Sequence, residues 1–136
     1  MINNLEHKIF RRSHGSIESE RWYLDDKQHR LDGPAVVRYY EDGSIYSKQW
    51  WVNGKRHRLD GPAQVWYHEN GSISSECWRL YDNLHRLDGP AQVWYSKDGS
   101  IESERWYLDG KELTEEEVED IKIKLEVQQQ IDRWFA

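Results

Sequence analysis

The stretch His57-Arg58-Leu59-Asp60-Gly61-Pro62-Ala63 determines the fold, because residues 29–35 and 85–91 spell the same seven amino acids. The three copies begin at His29, His57 and His85, so they follow one another at a constant spacing of 28 residues. A Gly-Ser-Ile motif and a single tryptophan keep the same spacing over four copies. The glycines are Gly15, Gly43, Gly71 and Gly99, and the tryptophans are Trp22, Trp50, Trp78 and Trp106. Three markers in one register indicate a repeat array, since a fixed period of roughly 20–50 residues is typical of such proteins.

Each unit reads as a β-hairpin followed by a short return arm. Residues 35–40 are rich in β-branched and aromatic residues, and Asp42-Gly43 signals a two-residue hairpin turn. Asn53-Gly54 predicts a second turn, after which the seven-residue connector begins. The sequence therefore predicts a mainly β fold, an elongated antiparallel meander of four stacked hairpins. The predicted array spans residues 1–113, with units at about 7–28, 29–56, 57–84 and 85–113.

Two features of the strands predict how they pack. Ile45 and Trp50 recur in every unit but differ in parity, so we expect a β-bulge between Ser47 and Trp50. The alternative is that Ile45 and Trp50 pack on opposite sides of a sheet that is covered on both. The chain has eight Trp and eight Tyr among 136 residues, which predicts a thin core of stacked aromatic rings.

The last segment predicts a helix. Thr114-Glu115-Glu116-Glu117 is a capping box, so we expect an amphipathic helix within residues 114–136, in the same domain as the array. One apolar stripe should cover the open end of the array and contains Val118, Ile121 and Leu125. The second contains Ile123, Val127, Ile131 and Trp134. Either the helix bends and both stripes pack internally, or the second stripe meets another molecule, as in a homodimer.

Composition and charge limit the classes of function. The net charge of −6 argues against binding to nucleic acid or to anionic membranes, which need a basic face. The single cysteine, Cys77, allows no internal disulfide, and its variable column suggests an exposed thiol. The N-terminal residues lack the pattern of a signal peptide, so we expect a cytoplasmic protein. We find no pattern for catalytic residues, a metal site or a cofactor, so the sequence predicts no enzyme.

Two sets of repeated side chains are candidate binding residues. The strand positions that vary between units predict a partner-binding strip of aromatic residues with one arginine: Trp66, Trp94, Trp51, Tyr23, Tyr107 and Arg38. The connectors predict a ladder that could hold an anion: His29, Arg30, His57, Arg58, His85 and Arg86. The structural alternative is that each arginine pairs with the aspartate two residues later and each histidine caps a turn.

These residues carry a resemblance to a known repeat family. Residues 50–55, His57-Arg58, Gly61-Pro62-Ala63, Tyr67 and Asn70-Gly71 resemble a variant of the MORN repeat, and the likeness covers residues 7–113. The phrase WYLDGK…HRLDGPA is more similar still to repeats in proteins of bacteriophages and large viruses. The resemblance implies a hairpin meander used for protein association, with no catalytic residues. It also implies a specific role, that of a phage-encoded inhibitor of a host defence protein, acting in the host cytoplasm. Binding of a small anion or nucleotide by the His/Arg connectors is the alternative function.

Overall fold

The computed structural model describes residues 4–136. Residues 1–3, which the predicted array 1–113 included, lie outside it. The described residues form a mainly β structure with one C-terminal helix. The elements are β1 (Leu5–Arg11), β2 (Ile17–Leu24), β3 (Lys27–Gln28), β4 (Val36–Tyr39), β5 (Ile45–Gln49), β6 (Trp51–Val52), β7 (Lys55–Arg56), β8 (Gln64–Tyr67), β9 (Ile73–Cys77), β10 (Arg79–Leu80), β11 (Asn83–Leu84), β12 (Gln92–Tyr95), β13 (Ile101–Arg105), β14 (Tyr107–Leu108), β15 (Lys111–Glu112) and α1 (Glu115–Trp134).

The hairpins join into one antiparallel sheet that follows chain order. Its strands lie in the order β1-β2-β4-β5-β8-β9-β12-β13, and β3 pairs with the end of β2. Each unit therefore adds two strands to the sheet, as the predicted meander requires. The Tyr40 amide donates to the Ser44 carbonyl at 2.8 Å, and this hydrogen bond encloses residues 41–43. The hairpin loop therefore has three residues, and the predicted two-residue turn at Asp42-Gly43 was wrong. Gly43 takes the left-handed conformation, with φ of 88°, that such a three-residue loop needs at its last position.

The return arms form a second series of two-stranded ribbons: the end of β2 with β3, then β6–β7, β10–β11 and β14–β15. The predicted turn at Asn53-Gly54 closes one of them, with φ of 50° and 80° at the two residues. Backbone hydrogen bonds join each ribbon to the next. The Arg30 amide donates to the Trp51 carbonyl at 3.1 Å, and the Gly54 amide donates to the Gln28 carbonyl at 2.9 Å. Both the sheet and the ribbons therefore fix the spacing between units.

The repeated tryptophans occupy equivalent places. The amides of Trp22, Trp50 and Trp78 donate to the carbonyls of the alanines that begin the next long strand, at 2.8, 2.7 and 2.7 Å. Their carbonyls accept from the first residue of the connector at 3.0, 3.0 and 3.1 Å. The constant period of the sequence thus gives the same backbone hydrogen bonds in successive units.

The β-bulge lies earlier than predicted. Tyr39 pairs with Ile45 and Arg38 pairs with Ser47, so Tyr46 is the extra residue. The same shift occurs in the other three hairpins. Because alternation resumes after the bulge, Ile45 and Trp50 share a face and Ser47 lies on the opposite one. The expected bulge between Ser47 and Trp50 was wrong in position, although a bulge does reconcile the parity of Ile45 and Trp50.

The sheet has two faces of different character. The tyrosine face carries the columns that begin with Ala35, Val37 and Tyr39, and the serine face carries Ser19, Ser47, Ser75 and Ser103. The buried hydrophobic residues are small: Ala35, Val36, Val37, Ala63, Val65, Cys77, Ala91 and Val93, together with Trp106. The predicted core of stacked aromatic rings was therefore wrong. Alanine and valine form the centre, and most of the tryptophans and tyrosines lie half-buried around it.

Helix α1 begins with the predicted capping box. The Glu117 amide donates to the Thr114 hydroxyl at 3.2 Å, and the Thr114 amide donates to the Glu117 carboxylate at 3.1 Å. No residue of α1 is buried, and only the stripe of Val118, Ile121 and Leu125 is half-buried. Val118 of this stripe lines the same cleft as Trp106, and all of the edge strand β13 is exposed. The helix therefore covers less of the open end of the array than we expected.

Candidate functional site

The connector arginines hold the connectors against the repeated tryptophans. Arg58 Nε donates to the Asp60 carboxylate and its Nη1 donates to the Pro62 carbonyl, each at 3.1 Å. The guanidinium carbon lies 3.8 Å from the centre of the Trp50 ring, a cation–π geometry. A Cβ at Gly61 would lie 2.9 Å from the same carbon, so only glycine leaves room for the arginine. Arg30 and Arg86 repeat all of these contacts.

The connector histidines join one unit to the next. His57 Nδ1 accepts a hydrogen bond from the Tyr81 amide at 3.1 Å, and the two rings stack with centroids 4.0 Å apart. His29 and His85 accept in the same way from the amides of Asn53 and Asp109, at 3.0 and 2.9 Å. These histidines cap the turns of the following ribbons. All six predicted anion-binding side chains therefore make structural contacts, and anion binding by them stays a prediction.

Three of the four most exposed large apolar side chains in the described part of the array lie in the connectors, and the fourth is Leu5 of β1. Leu31, Leu59 and Leu87 are 81%, 83% and 69% exposed. They follow the arginines that turn inward, and they stand at equivalent positions of successive units. We call these three residues the leucine ridge. A row of exposed leucines in register is unusual for a monomeric surface and is typical of a contact site.

Three open clefts lie beside the side chains of the leucine ridge. The first cleft has a volume of about 440 Å³ and lies over Trp22, between the segment Leu5–His7 and Leu31. The second, about 750 Å³, lies between Leu31 and Leu59, with Trp50 and Val52 among its lining residues. The third, about 700 Å³, lies between Leu59 and Leu87, with Trp78 and Leu80. The four units therefore present three similar clefts, each with a repeated tryptophan in its lining and an Arg/Asp pair at its rim.

Sequence reasoning missed the leucine ridge. It treats the connector as a turn and considers only the charged residues as candidate binding groups. The available signal is an invariant apolar residue in a segment otherwise made of charged, Gly and Pro positions.

The predicted partner-binding residues share the serine face but form two separate rows. Trp66 pairs with Ser47 and Ser75, and Trp94 pairs with Ser75, so these rings lie in one row with Arg38. The second row lies in the ribbons and contains Tyr23, Trp51 and Tyr107. A polar row separates the two, and Gln49 of that row accepts a hydrogen bond from the Trp51 indole at 3.2 Å. All six side chains are half-buried and none is fully exposed.

The serine face holds a further cavity of about 510 Å³, lined by Trp66, Trp94, Tyr46 and Cys77 among others. Cys77 is 6% exposed, so the expectation of an exposed thiol was wrong. Cys77 pairs with Gln64 and Gln92 of the two neighbouring strands, and its side chain lies on the buried side of β9. Burial raises the pKa of the Cys77 thiol, which keeps it protonated and poorly nucleophilic.

Tyrosine hydroxyls pair with carboxylates on the tyrosine face. Tyr39 donates to Glu20 at 2.6 Å, and Tyr95 donates to Glu76 at 2.7 Å. Burial and these hydrogen bonds raise the pKa of Tyr39 and of Tyr95 to about 12. Both hydroxyls therefore remain protonated near neutral pH and act as donors that tie one strand to the next.

The predicted dimer contact on α1 faces solvent. Ile123, Val127, Ile131 and Trp134 are all exposed, and Phe135 next to them is exposed as well. The helix does not bend back to bury this stripe, so the interpretation in which both stripes pack internally was wrong. Contact with another molecule stays a prediction.

Comparison with protein-family profiles, with characterised proteins and with solved structures finds no match for this chain. Within residues 4–136, no helix is both long and apolar enough to cross a lipid bilayer. The same residues contain no group of three or more His, Cys, Asp or Glu side chains placed to hold a metal ion. Any function must therefore be argued from the surfaces described above.

Proposed function

We propose that the protein is a non-enzymatic protein-interaction module that contacts its partner through the leucine ridge and the clefts beside it. The observation that supports this most directly is the exposure of Leu31, Leu59 and Leu87 in one row. Exposing an aliphatic side chain that could be buried gives up about 1.5–3 kcal/mol. Three such residues in register are best explained by a surface that a partner covers.

The repetition itself supports binding over catalysis. The three clefts have the same chemistry, whereas an active site needs different residues in different roles. A row of equivalent clefts suits an extended partner that contacts several units at once. The second predicted surface, formed by Trp66, Trp94 and the other aromatic residues of the serine face, remains a proposal of the same class.

The resemblance to MORN-like repeats of bacteriophage and large-virus proteins gives the proposal a specific form. In that form the protein is a phage-encoded inhibitor that binds a host defence protein in the host cytoplasm. The exposed stripe of Ile123, Val127, Ile131 and Trp134 supports a homodimer joined through α1. Light scattering of the wild type and of an Ile131→Glu variant tests the homodimer independently of the partner.

The alternative function, binding of a small anion or nucleotide, has less support from the geometry. Each connector arginine already stacks on a tryptophan and donates to a carboxylate and a carbonyl. An anion would have to compete with these contacts or use the remaining guanidinium nitrogen.

Affinity capture with matched variants tests the proposed function. The tagged wild type, Leu59→Ser and Ile101→Ser are compared, since both substitutions remove an exposed aliphatic side chain and should leave the fold intact. We expect a protein that the wild type and Ile101→Ser retain and that Leu59→Ser loses. Equal recovery of every captured protein by all three would contradict a role for the leucine ridge.

A further inference from the structure

The spacing of the clefts limits the conformation of the segment that fills them. Equivalent strands lie two apart in the sheet, so successive clefts are separated by about 10 Å, twice the usual distance between strands. A β-strand presents side chains on one face every ~6.7 Å and does not match. A polyproline II helix repeats every three residues at about 9.3 Å, and an α-helix repeats every seven at about 10.5 Å. The two helical forms both match the clefts.

Hydrogen-bond donors in the clefts separate these two forms. Arg58 uses Nε and Nη1, while its Nη2 has no hydrogen-bond partner among residues 4–136. The indole nitrogen of Trp50 likewise donates to no residue of the described chain, and it is not fully buried. Both side chains line the second cleft. An α-helix satisfies its own carbonyls, whereas polyproline II leaves every carbonyl free to accept such donors.

The outermost charge of the connectors is negative. The Asp60 side chain is 88% exposed, while that of its partner Arg58 is 25% exposed because the guanidinium lies on Trp50. Asp32 and Asp88 are exposed in the same way beside their arginines. With a net charge of −6 over the whole chain, this rim favours a basic partner.

We propose that the three clefts bind one basic, proline-containing segment of the partner in the polyproline II conformation. One apolar side chain of the segment, at every third residue, enters each of the three clefts beside the leucine ridge. The carbonyls of the segment accept from the connector arginines and the tryptophan indoles, and its basic side chains face Asp32, Asp60 and Asp88. This inference rests on the proposed function and names the chemistry of the partner at the same site.

Fluorescence anisotropy with labelled synthetic peptides tests the inference on the full chain. The probe is a peptide of four Leu-Pro-Lys repeats. Three comparison peptides carry Glu in place of Lys, an added Ser in every repeat so that the period becomes four, or a Leu/Lys heptad that forms an α-helix. The probe should bind, and each comparison peptide should bind at least tenfold more weakly. On the protein, Leu59→Ser should weaken binding of the probe at least tenfold, Asp60→Asn several-fold, and Ile101→Ser not at all.

The result can separate the inference from the proposed function. If the heptad or the period-four peptide binds as well as the probe, or if no peptide binds, the polyproline II inference is overturned. The proposed function still stands in that case when a captured partner depends on Leu59. Equal binding of the Lys and Glu peptides would overturn the inference as well, because the acidic rim would then play no part.

Discussion

Replacing Arg58 with methionine separates a structural connector from an anion-binding one. Methionine keeps an unbranched apolar stem over Trp50 but loses the donors and the charge. The hydrogen bond from a charged donor to the Pro62 carbonyl contributes about 1.5–3 kcal/mol. The cation–π contact at 3.8 Å adds about 0.5–2 kcal/mol. The pair with Asp60 adds little, because that carboxylate is almost fully exposed.

The free energy of unfolding should therefore fall by about 2–5 kcal/mol in Arg58→Met, from the sum of these contributions. For a chain of this size the melting temperature should fall by roughly 6–20 °C. Arg58→Lys should lose most of the same stability, because a single ammonium cannot reproduce the planar donor geometry. Asp60→Asn is the control and should cost less than about 0.5 kcal/mol.

Calorimetry and urea unfolding measure these changes, and titration with inorganic phosphate tests the alternative function in the same samples. A loss below about 0.5 kcal/mol in Arg58→Met, together with loss of phosphate binding, would refute the structural interpretation. It would instead show that the connectors exist to hold an anion.

Four further substitutions test other parts of the structure. Gly89→Ala should cost about 1–3 kcal/mol by overpacking, since its Cβ would lie 2.7 Å from the Arg86 guanidinium carbon; urea unfolding checks this. Ser47→Ala should raise stability by about 1 kcal/mol, because the buried Ser47 hydroxyl has no hydrogen-bond partner in the described chain. Ser19→Ala should instead lower it, because that hydroxyl accepts from a neighbouring arginine at 3.3 Å. The pKa of Tyr39 is raised to about 12, so its contribution to stability is complete below the unfolded pKa near 10 and is lost as pH rises through 12. Absorbance titration at about 295 nm should lose one late-titrating tyrosine in Tyr39→Phe, and a first transition near pH 10 that includes Tyr39 would be inconsistent with its burial.

The regular part of the fold follows from the sequence because the period fixes it. The constant spacing of the units, the Asn53-Gly54 turns and the capping box at Thr114 each act locally, so pattern alone predicts the hairpins, the ribbons and the start of α1. The position of the bulge cannot be predicted from these local patterns. Alternation shows that one residue must be extra, but only pairing across the strands shows that Tyr46 is that residue.

The candidate site was harder to predict because its important residues lie outside regular structure. Periodicity assigns faces to strands, and it gives no orientation for Arg58 and Leu59 in a connector. In the structure the charged residue turns inward onto Trp50 and the apolar residue turns outward, the reverse of the usual preference. The contacts of Arg58 with Trp50, Asp60 and Pro62 hold the guanidinium inward. No hydrophobic pattern in a short connector predicts them.

Duplication of one complete unit tests the central claim most directly. A second copy of residues 57–84 inserted after residue 84 keeps the register of the repeats and adds two strands, one ribbon and one cleft. Small-angle X-ray scattering should show a maximum dimension about 10 Å longer than that of the wild type, with thermal stability equal or higher. An unfolded or aggregated product, or a folded one of unchanged length, would contradict an array in which each unit stacks on its neighbour by a regular translation.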